Sequence, residues 1–489
     1  MSGMAIEARA DQAVPQDQIR REFAEAMSAM YQDEVPQYRE LLALVADVNA
    51  ASLRANPALK ERLEHSGERV LLTVPRHGAI RLGSAQELHT MRRVLAVMGM
   101  QPVGYYDLSV AGVPVHSTAF RPVQDDALAR NPFRLFTSLL RLDLLADPAL
   151  RQEAAAILAT RTIFTPTALA LTAQAERDGG LGQQDAQAFV REVLQTFRWH
   201  GRTTVDAAAY ARLNAAHRLL ADIVCFPGPH INHLTALALD IDAAHAEMPR
   251  RAMGAKDSIE GPPPRRVPLL LRQTSFRALR EPIEFLGSKD GPAASHAARF
   301  GEIEQRGVAL TRQGRALYDR LLDAAQAGGP SEDASSDEGA TSYPVRLARA
   351  FGAFPDDLHA LHRDKLAFFR YRASGAGIAK VDALAKEGVP LDWPSVQALV
   401  ERGWLHIEPL RYEDFLPVSA AGIFQSNLEG TSQGRHQPSA AKDSFEAALG
   451  CPVLDEFLLY EQASRASLTA ALSDLGLAHE AQAVQETSR

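Results

Sequence analysis

Five histidines lie in strand-like or glycine- and proline-rich stretches, where a fixed backbone could hold a metal ligand. The five, among 15 histidines in the chain, are His77, His116, His230, His233 and His296. His77 occurs in "TVPRHGAIRLGS", between Arg76 and Gly78. Neighbouring positive charge disfavours protonation of an imidazole, and the neutral ring is the form that binds a metal. His77 is therefore the first candidate ligand, and its stretch predicts a small glycine turn.

A second pair of candidates occurs in "CFPGPHINHL", where His230 and His233 are three residues apart. In a helix this spacing would place both rings on one face. The preceding "PGP" argues against a helix, and in an extended segment side chains three apart point to opposite faces. We therefore expect only one of the two histidines to face an inner site.

Two carboxylates alternate with Ile303 in "RFGEIEQRG". In a strand, Glu302 and Glu304 would share one face. Beside arginines such a pair is most often a solvated salt-bridge ladder. A carboxylate that faces the interior needs a cation, because an unpaired buried charge is costly.

Together these stretches supply two histidines and one carboxylate from distant parts of the chain. This is the composition of the facial triad of non-haem Fe(II) oxygenases, which leaves positions open for substrate and oxygen. Zinc hydrolases use a similar set, so the residue types alone do not identify the metal.

Composition excludes several other classes. The formal net charge of -8 argues against a nucleic-acid binder. Two cysteines allow neither a disulfide framework nor a CxxC metal site. No apolar run approaches the roughly 20 residues that span a bilayer, and the polar N-terminus is unlike a signal peptide. We therefore expect a cytoplasmic protein that binds neither membrane nor nucleic acid. The usual nucleotide-binding and hydrolase motifs are also absent.

The elements that must position these residues alternate between helical and strand-like patterns, so the predicted fold class is α+β. Helical spacing continues through "NPFRLFTSLLRL" and the segments after it, whereas "VPVHSTAFRPV" and "LAFFRYRAS" have strand character. We expect five regions: N-terminal helices with a first metal-ligand β region (1–130), a helical insertion (131–217), a second β region with the remaining ligands (218–325), a flexible linker (326–342) and a C-terminal region that closes the pocket (343–489).

Several long blocks carry a family resemblance, and they include "RHGAIRLGSAQEL", "YYDLSVAGVPVHSTAFRP", "CFPGPHINHLT", "RFGEIEQRGVALT" and "YEDFLPVSAAGIFQSNL". Through them nearly the whole chain resembles the 2-oxoadipate dioxygenase/decarboxylase family, which is related to the vicinal oxygen chelate superfamily. The resemblance implies a strongly curved β-sheet built from repeated βαββ-type units around a metal, with helices packed outside.

The resemblance also implies an activity and a set of site residues. Fe(II) would be held by His77, His233 and Glu304, with Glu302 as the alternative carboxylate. Arg81 would bind a substrate carboxylate, and the backbone at Val418 and Ser419 would close the pocket. The implied reaction converts 2-oxoadipate and O2 to 2-hydroxyglutarate and CO2 in lysine breakdown. A 2-oxo acid can chelate Fe(II) through its C1 carboxylate and C2 carbonyl.

Two other functions are compatible with the same sequence. One is a related metal-dependent enzyme that acts on another 2-oxo acid or uses another metal, because fold does not fix function. The other is a non-catalytic metabolite-binding protein. The ligand set separates them, since a simple binder has no need of two histidines and a carboxylate around a metal.

Overall fold

The computed structural model describes residues 13–65, 68–288, 291, 294–327, 342–387, 395–416 and 439–477. The chain divides into two units. The first comprises Met1–Glu260, Gln273–Gln305 and Phe415–Leu454, and the second comprises Gly261–Arg272, Arg306–Asp414 and Asp455–Arg489. The expected linker falls largely outside the described residues, and so do Val418 and Ser419. In the part of the chain that is described, no helix has the length and apolar character needed to cross a membrane.

Ten strands are found in the described residues. In chain order they are β1 (His77–Leu82), β2 (Gln101–Asp107), β3 (Val115–Arg121), β4 (Arg134–Leu140), β5 (His233–Leu237), β6 (Leu271–Ser275), β7 (Leu279–Ile283), β8 (Ala294–Arg306), β9 (Phe369–Ala373) and β10 (Leu405–Pro409).

The described residues also contain 18 α-helices. They are α1 (Gln16–Glu34), α2 (Pro36–Ala55), α3 (Pro57–His65), α4 (Ala85–Val97), α5 (Asp125–Arg130), α6 (Pro148–Ala159), α7 (Pro166–Asp178), α8 (Gln183–Leu194), α9 (Ala207–Ala216), α10 (Arg218–Val224), α11 (Ile241–Glu247), α12 (Arg312–Ala327), α13 (Tyr343–Phe351), α14 (Leu358–Arg363), α15 (Gly375–Lys386), α16 (Val396–Glu401), α17 (Ser439–Leu449) and α18 (Glu456–Asp474).

Eight strands form one sheet, in the order β2-β3-β4-β1-β5-β8-β6 with β7 paired to β8. Strand β1 is parallel to β4, and β5 is parallel to β8. At the centre, β1 and β5 are antiparallel. The sheet therefore contains two successive βαβββ units, each beginning with a strand that starts at a histidine. The predicted α+β class with a curved sheet around the candidate site is confirmed.

The core of the first unit lies between the sheet and its helices. Phe23 of α1 and Leu41 of α2 are fully buried in it, together with Ile80 of β1. The hydroxyl of Tyr31 lies 3.0 Å from the carbonyl oxygen of Asn232 and 2.8 Å from that of Phe300. This contact ties α1 to the backbone of β8 and to the residue before β5, both next to the candidate site.

The N-terminus of α4 shows how local sequence sets a boundary. The Ser84 side chain accepts a hydrogen bond from the Glu87 backbone N–H, as in a capping box. The Glu87 carboxylate accepts from the backbone N–H of Gly83 instead of that of Ser84. Helix α4 therefore starts immediately after β1, and the two elements form the beginning of the first βαβββ unit.

Two predictions about local structure are wrong. "NPFRLFTSLLRL" does not form a helix, because Arg134–Leu140 is strand β4, buried at every position. A strand covered on both faces lacks polar alternation, and its apolar run can match a helical spacing. The stretch from His77 to Arg81 is not a turn, because it is part of β1.

Close packing around Gly78 explains why β1 contains a glycine although the chain does not turn there. A Cβ atom at this position would lie 2.7 Å from Cδ1 of Ile231 and 3.2 Å from the carbonyl oxygen of His233. The missing side chain thus allows β1 to approach β5 closely, next to both candidate histidines.

The second unit has its own small sheet and core. Strands β9 and β10 are antiparallel, with Tyr371 opposite Ile407. Their cluster of apolar residues includes Leu399 of α16, Leu405 of β10 and Leu472 of α18, all nearly fully buried. None of the candidate ligands belongs to this unit.

Candidate metal centre

Three buried side chains meet on the inner face of the sheet in the first unit. They are His77, His233 and Glu302, and each offers one ligand atom within 4.8 Å of the others. Within the described parts of the chain, no other group of three histidine, cysteine, aspartate or glutamate side chains meets this requirement. Two imidazoles and a carboxylate form a facial set of the kind that binds divalent iron.

Strand register brings these residues together. His77 is the first residue of β1 and lies opposite Thr235 of β5. Thr235 in turn lies opposite Glu302 of β8. His77 and Glu302 therefore lie across β5 from each other, and His233 is two residues before Thr235 on the same face.

The His77 ring is fixed through both of its nitrogens. Nε2 lies 3.0 Å from Oε1 of Glu302 and 3.0 Å from Oγ1 of Thr235. The Thr235 hydroxyl donates its one hydrogen to Oε1 of Glu302 at 2.9 Å. On the other side of the ring, Nδ1 lies 2.9 Å from Oε2 of Glu304. A histidine that donates Nδ1–H to a carboxylate directs the lone pair of Nε2 toward a metal.

Glu304 lies on the far side of His77 from the cluster. Its Oε1 is 3.4 Å from Nε of Arg76 and 3.6 Å from Nη1 of Arg134. All three of these side chains are fully buried. Two arginines provide the positive charge that a buried carboxylate requires. The structure thus groups Glu302, rather than the predicted Glu304, with the two histidines.

His233 and Glu302 have polar atoms whose burial suits a cation. Among the residues that the structure describes, neither ring nitrogen of His233 has a hydrogen-bond partner, and neither does Oε2 of Glu302. A buried polar group without a partner is costly. A divalent cation bound to the cluster would satisfy both side chains, so these residues fit a metal ion.

The electrostatics of the cluster also favour metal binding. Burial, together with the nearby charge of Arg81, lowers the pKa of His233 to about 3. Although burial alone would raise it, the neighbouring His233 and His77 lower the pKa of the Glu302 carboxyl. At neutral pH the imidazole of His233 is therefore uncharged and Glu302 is ionised, which are the forms that coordinate a metal.

Arg81 is buried on the same strand and the same face as His77. Its Nη1 lies 2.5 Å from Oδ2 of Asp222, on α10. Glu87, the next acidic residue after Arg81 in the sequence, pairs with Arg161 at 2.7 Å. A guanidinium on the inner face is suited to binding a carboxylate bidentately.

The remaining candidate histidines lie away from the cluster. His230 and His296 both contact Asp222, at 3.2 and 2.9 Å from its Oδ1. His230 therefore contacts Asp222, whereas His233 lies in the group with His77 and Glu302. His116 lies on β3, where its ring packs 4.6 Å from that of Phe445. His116 has no contact with the metal-binding group.

Aromatic side chains cover one side of His77. The ring of Phe415 lies 4.8 Å from the His77 ring, and Phe136 packs against Phe415 at 5.0 Å. The backbone N–H of Phe415 donates to the Tyr106 hydroxyl at 3.2 Å. An apolar wall beside a metal ligand limits water access and strengthens nearby electrostatic interactions.

A second buried cation lies near the cluster. Nζ of Lys256 is 3.0 Å from Oε1 of Glu260, and the Lys256 side chain is only 7% exposed. The charge of Lys256 contributes to the low pKa values of both Glu302 and His233. The inner face therefore carries two cationic side chains, Arg81 and Lys256, each paired with its own acid.

Sequence reasoning missed several residues around the site. Asp222 occurs as a lone acid inside the apolar run "LLADIVCF", which is a signal that it has a buried partner. Thr235 follows His233 by two residues, so strand alternation alone places it on the same face. Arg134 was not found because its segment was assigned to a helix.

The chain matches the model of one protein family. The family is described as 2-oxoadipate dioxygenase/decarboxylase, and the match covers residues 23–427. Relatives of that name occur in Escherichia coli, with 54% identity over 93% of this chain and 98% of the relative, and in Pseudomonas putida, with 52% identity over 96% and 99%.

This chain is also similar to a solved structure. It is the hydroxyglutarate synthase of Pseudomonas putida in complex with 2-oxoadipate, which is 50% identical and has a TM-score of 0.84. The similarity covers 95% of this chain and 100% of that chain. The fold and the cluster described above thus occur in a chain that is similar to these proteins over nearly its whole length.

Proposed function

The chain belongs to the 2-oxoadipate dioxygenase/decarboxylase family, and on this basis we propose that it converts 2-oxoadipate and O2 to 2-hydroxyglutarate and CO2 with a bound Fe(II) ion. The reaction balances without a further substrate, because CO2 keeps the two oxygen atoms of the C1 carboxylate and both atoms of O2 enter 2-hydroxyglutarate. The observation that supports the proposal most strongly is the buried group of His77, His233 and Glu302.

These three side chains would hold the metal. We assign Glu302 rather than Glu304 as the carboxylate ligand, because Glu302 lies with both histidines whereas Glu304 contacts Nδ1 of His77 and two arginines. Three protein ligands would leave room on the ion for a substrate. Fe(II) held there would supply the redox chemistry with O2, and the C1 carboxylate and C2 carbonyl of a 2-oxo acid are groups that can chelate such an ion.

The other residues bind and orient the substrate. Arg81 would hold a carboxylate of the dianionic 2-oxoadipate, since a guanidinium fork matches carboxylate geometry. Glu304 keeps the proton on Nδ1 of His77. Phe415 and Phe136 shield the site from water. The backbone at Val418 and Ser419 would close the pocket, which we base on the family resemblance alone.

A stoichiometric assay tests this function. Protein purified without oxygen is loaded with Fe(II) and supplied with 2-oxoadipate, and O2 uptake, CO2 release and 2-hydroxyglutarate are measured together. We expect the three quantities to be equal. Zn²⁺-loaded protein is the matched control, because zinc accepts the same ligands but has no redox chemistry. Iron-loaded protein that binds 2-oxoadipate without consuming O2 would contradict the proposal and favour a metabolite-binding protein.

A further inference from the structure

Asp222 connects Arg81 to two histidines inside the first unit. One carboxylate oxygen, Oδ2, lies 2.5 Å from Nη1 of Arg81. The other, Oδ1, lies 2.9 Å from Nε2 of His296 and 3.2 Å from Nε2 of His230. The Asp222 side chain is only 4% exposed, so these groups replace water around its charge. Both carboxylate oxygens are therefore held, and the orientation of Asp222 is fixed.

The histidines that hold Asp222 are themselves fixed. Nδ1 of His296 lies 2.8 Å from the hydroxyl of Tyr210. The Trp199 ring packs against His230 at 4.7 Å and against His296 at 6.2 Å. A chain of packed and hydrogen-bonded side chains thus runs from α9 through Asp222 to Arg81. The hydrogen bonds of this network run from Tyr210 through His296 to Asp222 and on to Arg81, and they restrict the geometry of these four side chains. His230 adds an ion-pair contact with Asp222.

The charge of Asp222 is stable in this setting. Although burial alone would raise it, Arg81 and His230 hold the pKa of the Asp222 carboxyl well below its usual range. The desolvation of two buried charges offsets much of their attraction, so the pair of Asp222 and Arg81 need not add net stability. The Arg81 side chain rotates about four bonds, and the contact with Asp222 restricts its guanidinium to one direction. A guanidinium has five N–H donors, so the bond to Asp222 is compatible with binding a substrate carboxylate as well.

We propose that Asp222 is the positioning residue that aims Arg81 at the substrate, and that it thereby determines the preference for dicarboxylic over monocarboxylic 2-oxo acids. This inference rests on the proposed function, because it takes Arg81 to bind the distal carboxylate of 2-oxoadipate. Asp222 itself need not touch the substrate. Its effect on binding is transmitted through Arg81, which shares a strand face with His77.

Anaerobic calorimetry of the metal-loaded protein tests the proposal without turnover. Dissociation constants are measured for 2-oxoadipate and for 2-oxohexanoate, which lacks the distal carboxylate. We expect Asp222→Asn to weaken binding of 2-oxoadipate about 10- to 100-fold, to change binding of 2-oxohexanoate little, and to leave the iron content unchanged. Asp222→Asn combined with Arg81→Lys should be less than additive, because both changes remove the same interaction.

A matched control separates positioning from general damage. Glu87 forms a similarly buried pair with Arg161, so Glu87→Gln removes a buried carboxylate without touching Asp222 or Arg81. We expect Glu87→Gln to lower the melting temperature while leaving the ratio of the two dissociation constants at the wild-type value. An equal shift of this ratio in Glu87→Gln and Asp222→Asn would overturn the proposal, and so would an unchanged ratio in Asp222→Asn.

A milder variant applies if Asp222→Asn does not fold. His296→Leu removes one hydrogen bond to Asp222 but keeps the carboxylate and its bond to Arg81. A several-fold loss of 2-oxoadipate binding with unchanged 2-oxohexanoate binding would support the proposal, and an unchanged ratio would overturn it. Wild-type protein that fails to bind 2-oxoadipate at all would instead contradict the proposed function.

Discussion

Glu302 and Glu304, two residues apart on one strand, contact opposite nitrogens of the same imidazole ring. Oε1 of Glu302 lies 3.0 Å from Nε2 of His77, and Oε2 of Glu304 lies 2.9 Å from Nδ1. Strand alternation places both carboxylates on the same face, and the position of His77 between them gives each a different role. One carboxylate faces the metal-binding group, and the other orients a ligand from behind.

This difference predicts unequal losses of metal. Glu302→Gln should abolish stoichiometric Fe(II) binding, because it removes the anionic ligand. Glu304→Gln should keep the ligand set and weaken metal affinity by about 10- to 100-fold, since it changes only the partner of Nδ1. Iron content after anaerobic dialysis against a weak chelator measures both. Full iron retention in Glu302→Gln with complete loss in Glu304→Gln would identify Glu304 as the ligand.

The two histidines of "HINH" should also differ. His233→Ala should lose stoichiometric iron, as should His77→Ala, because each removes one of the ligand atoms of the group. His230→Ala should retain iron, because its partner is Asp222. Metal analysis of the three variants checks this. Retention of iron in His233→Ala, with loss in His230→Ala, would show that the wrong histidine has been assigned.

Arg81→Lys should retain iron but lose catalytic efficiency with 2-oxoadipate. The lysine ammonium keeps the charge and loses the planar fork. A charged hydrogen bond contributes on the order of 1.5–3 kcal/mol, so kcat/KM should fall about tenfold to a few hundredfold. Steady-state O2 uptake measures the change, with a 2-oxo monoacid as the comparison substrate. Equal losses with both substrates would mean that Arg81 binds the carboxylate next to the iron.

His116 should make the protein sensitive to acid. Burial and the charge of Arg141 lower the pKa of His116 from 6.5 to about 4. Between these values the unfolded chain binds a proton that the folded chain excludes, so the free energy of unfolding falls as the pH falls. In His116→Gln this contribution is absent, and the loss between pH 7 and pH 5 should be smaller by about 2 kcal/mol.

Urea unfolding at the two pH values measures this difference. His359→Gln provides the control, because it makes the same His-to-Gln substitution at an exposed position. A His116→Gln variant whose stability depends on pH as steeply as that of the wild type would contradict the prediction.

Gly78→Ala should destabilise the first unit and disturb the site together. The added methyl group would meet Ile231, Leu234 and the backbone of His233 at 2.7 to 3.2 Å. Overpacking of this kind costs about 1–3 kcal/mol, and pushing β1 from β5 would separate His77 from His233. Thermal unfolding and iron content should both fall. Gly254→Ala is the control, because a Cβ there meets nothing within 4 Å.

The sequence predicts some of the strands and misses others. Strand β3 matches the strand character of "VPVHSTAFRPV", and "GEIE" correctly predicts two carboxylates on one face. Strand β4 lies where the sequence predicts a helix, because the apolar spacing of its buried run fits a helix as well as a strand. Strand β1 was mistaken for a turn because Gly78 suggested one. The actual reason for a glycine at position 78 is the close approach of Ile231, a residue far away in the sequence.

The choice between Glu302 and Glu304 could not come from spacing. Both have the same alternation, and only the register of β8 on β5 places Glu302 opposite Thr235. Register depends on contacts between distant segments, and a single sequence contains no direct measure of it. The link between Asp222 and Arg81 was likewise not predictable, because 141 residues separate them.

The central antiparallel pairing of β1 with β5 has a consequence for how the chain acquires its metal. The first βαβββ unit of the sheet supplies only His77, and the second βαβββ unit supplies His233 and Glu302. Neither βαβββ unit alone therefore contains the complete ligand set. A cation can bind with full affinity only after the two units have joined along β1 and β5. A bound ion would stabilise the paired state of β1 and β5, and more so the more fully the site is occupied. Metal binding therefore follows the pairing of the two βαβββ units and does not initiate folding.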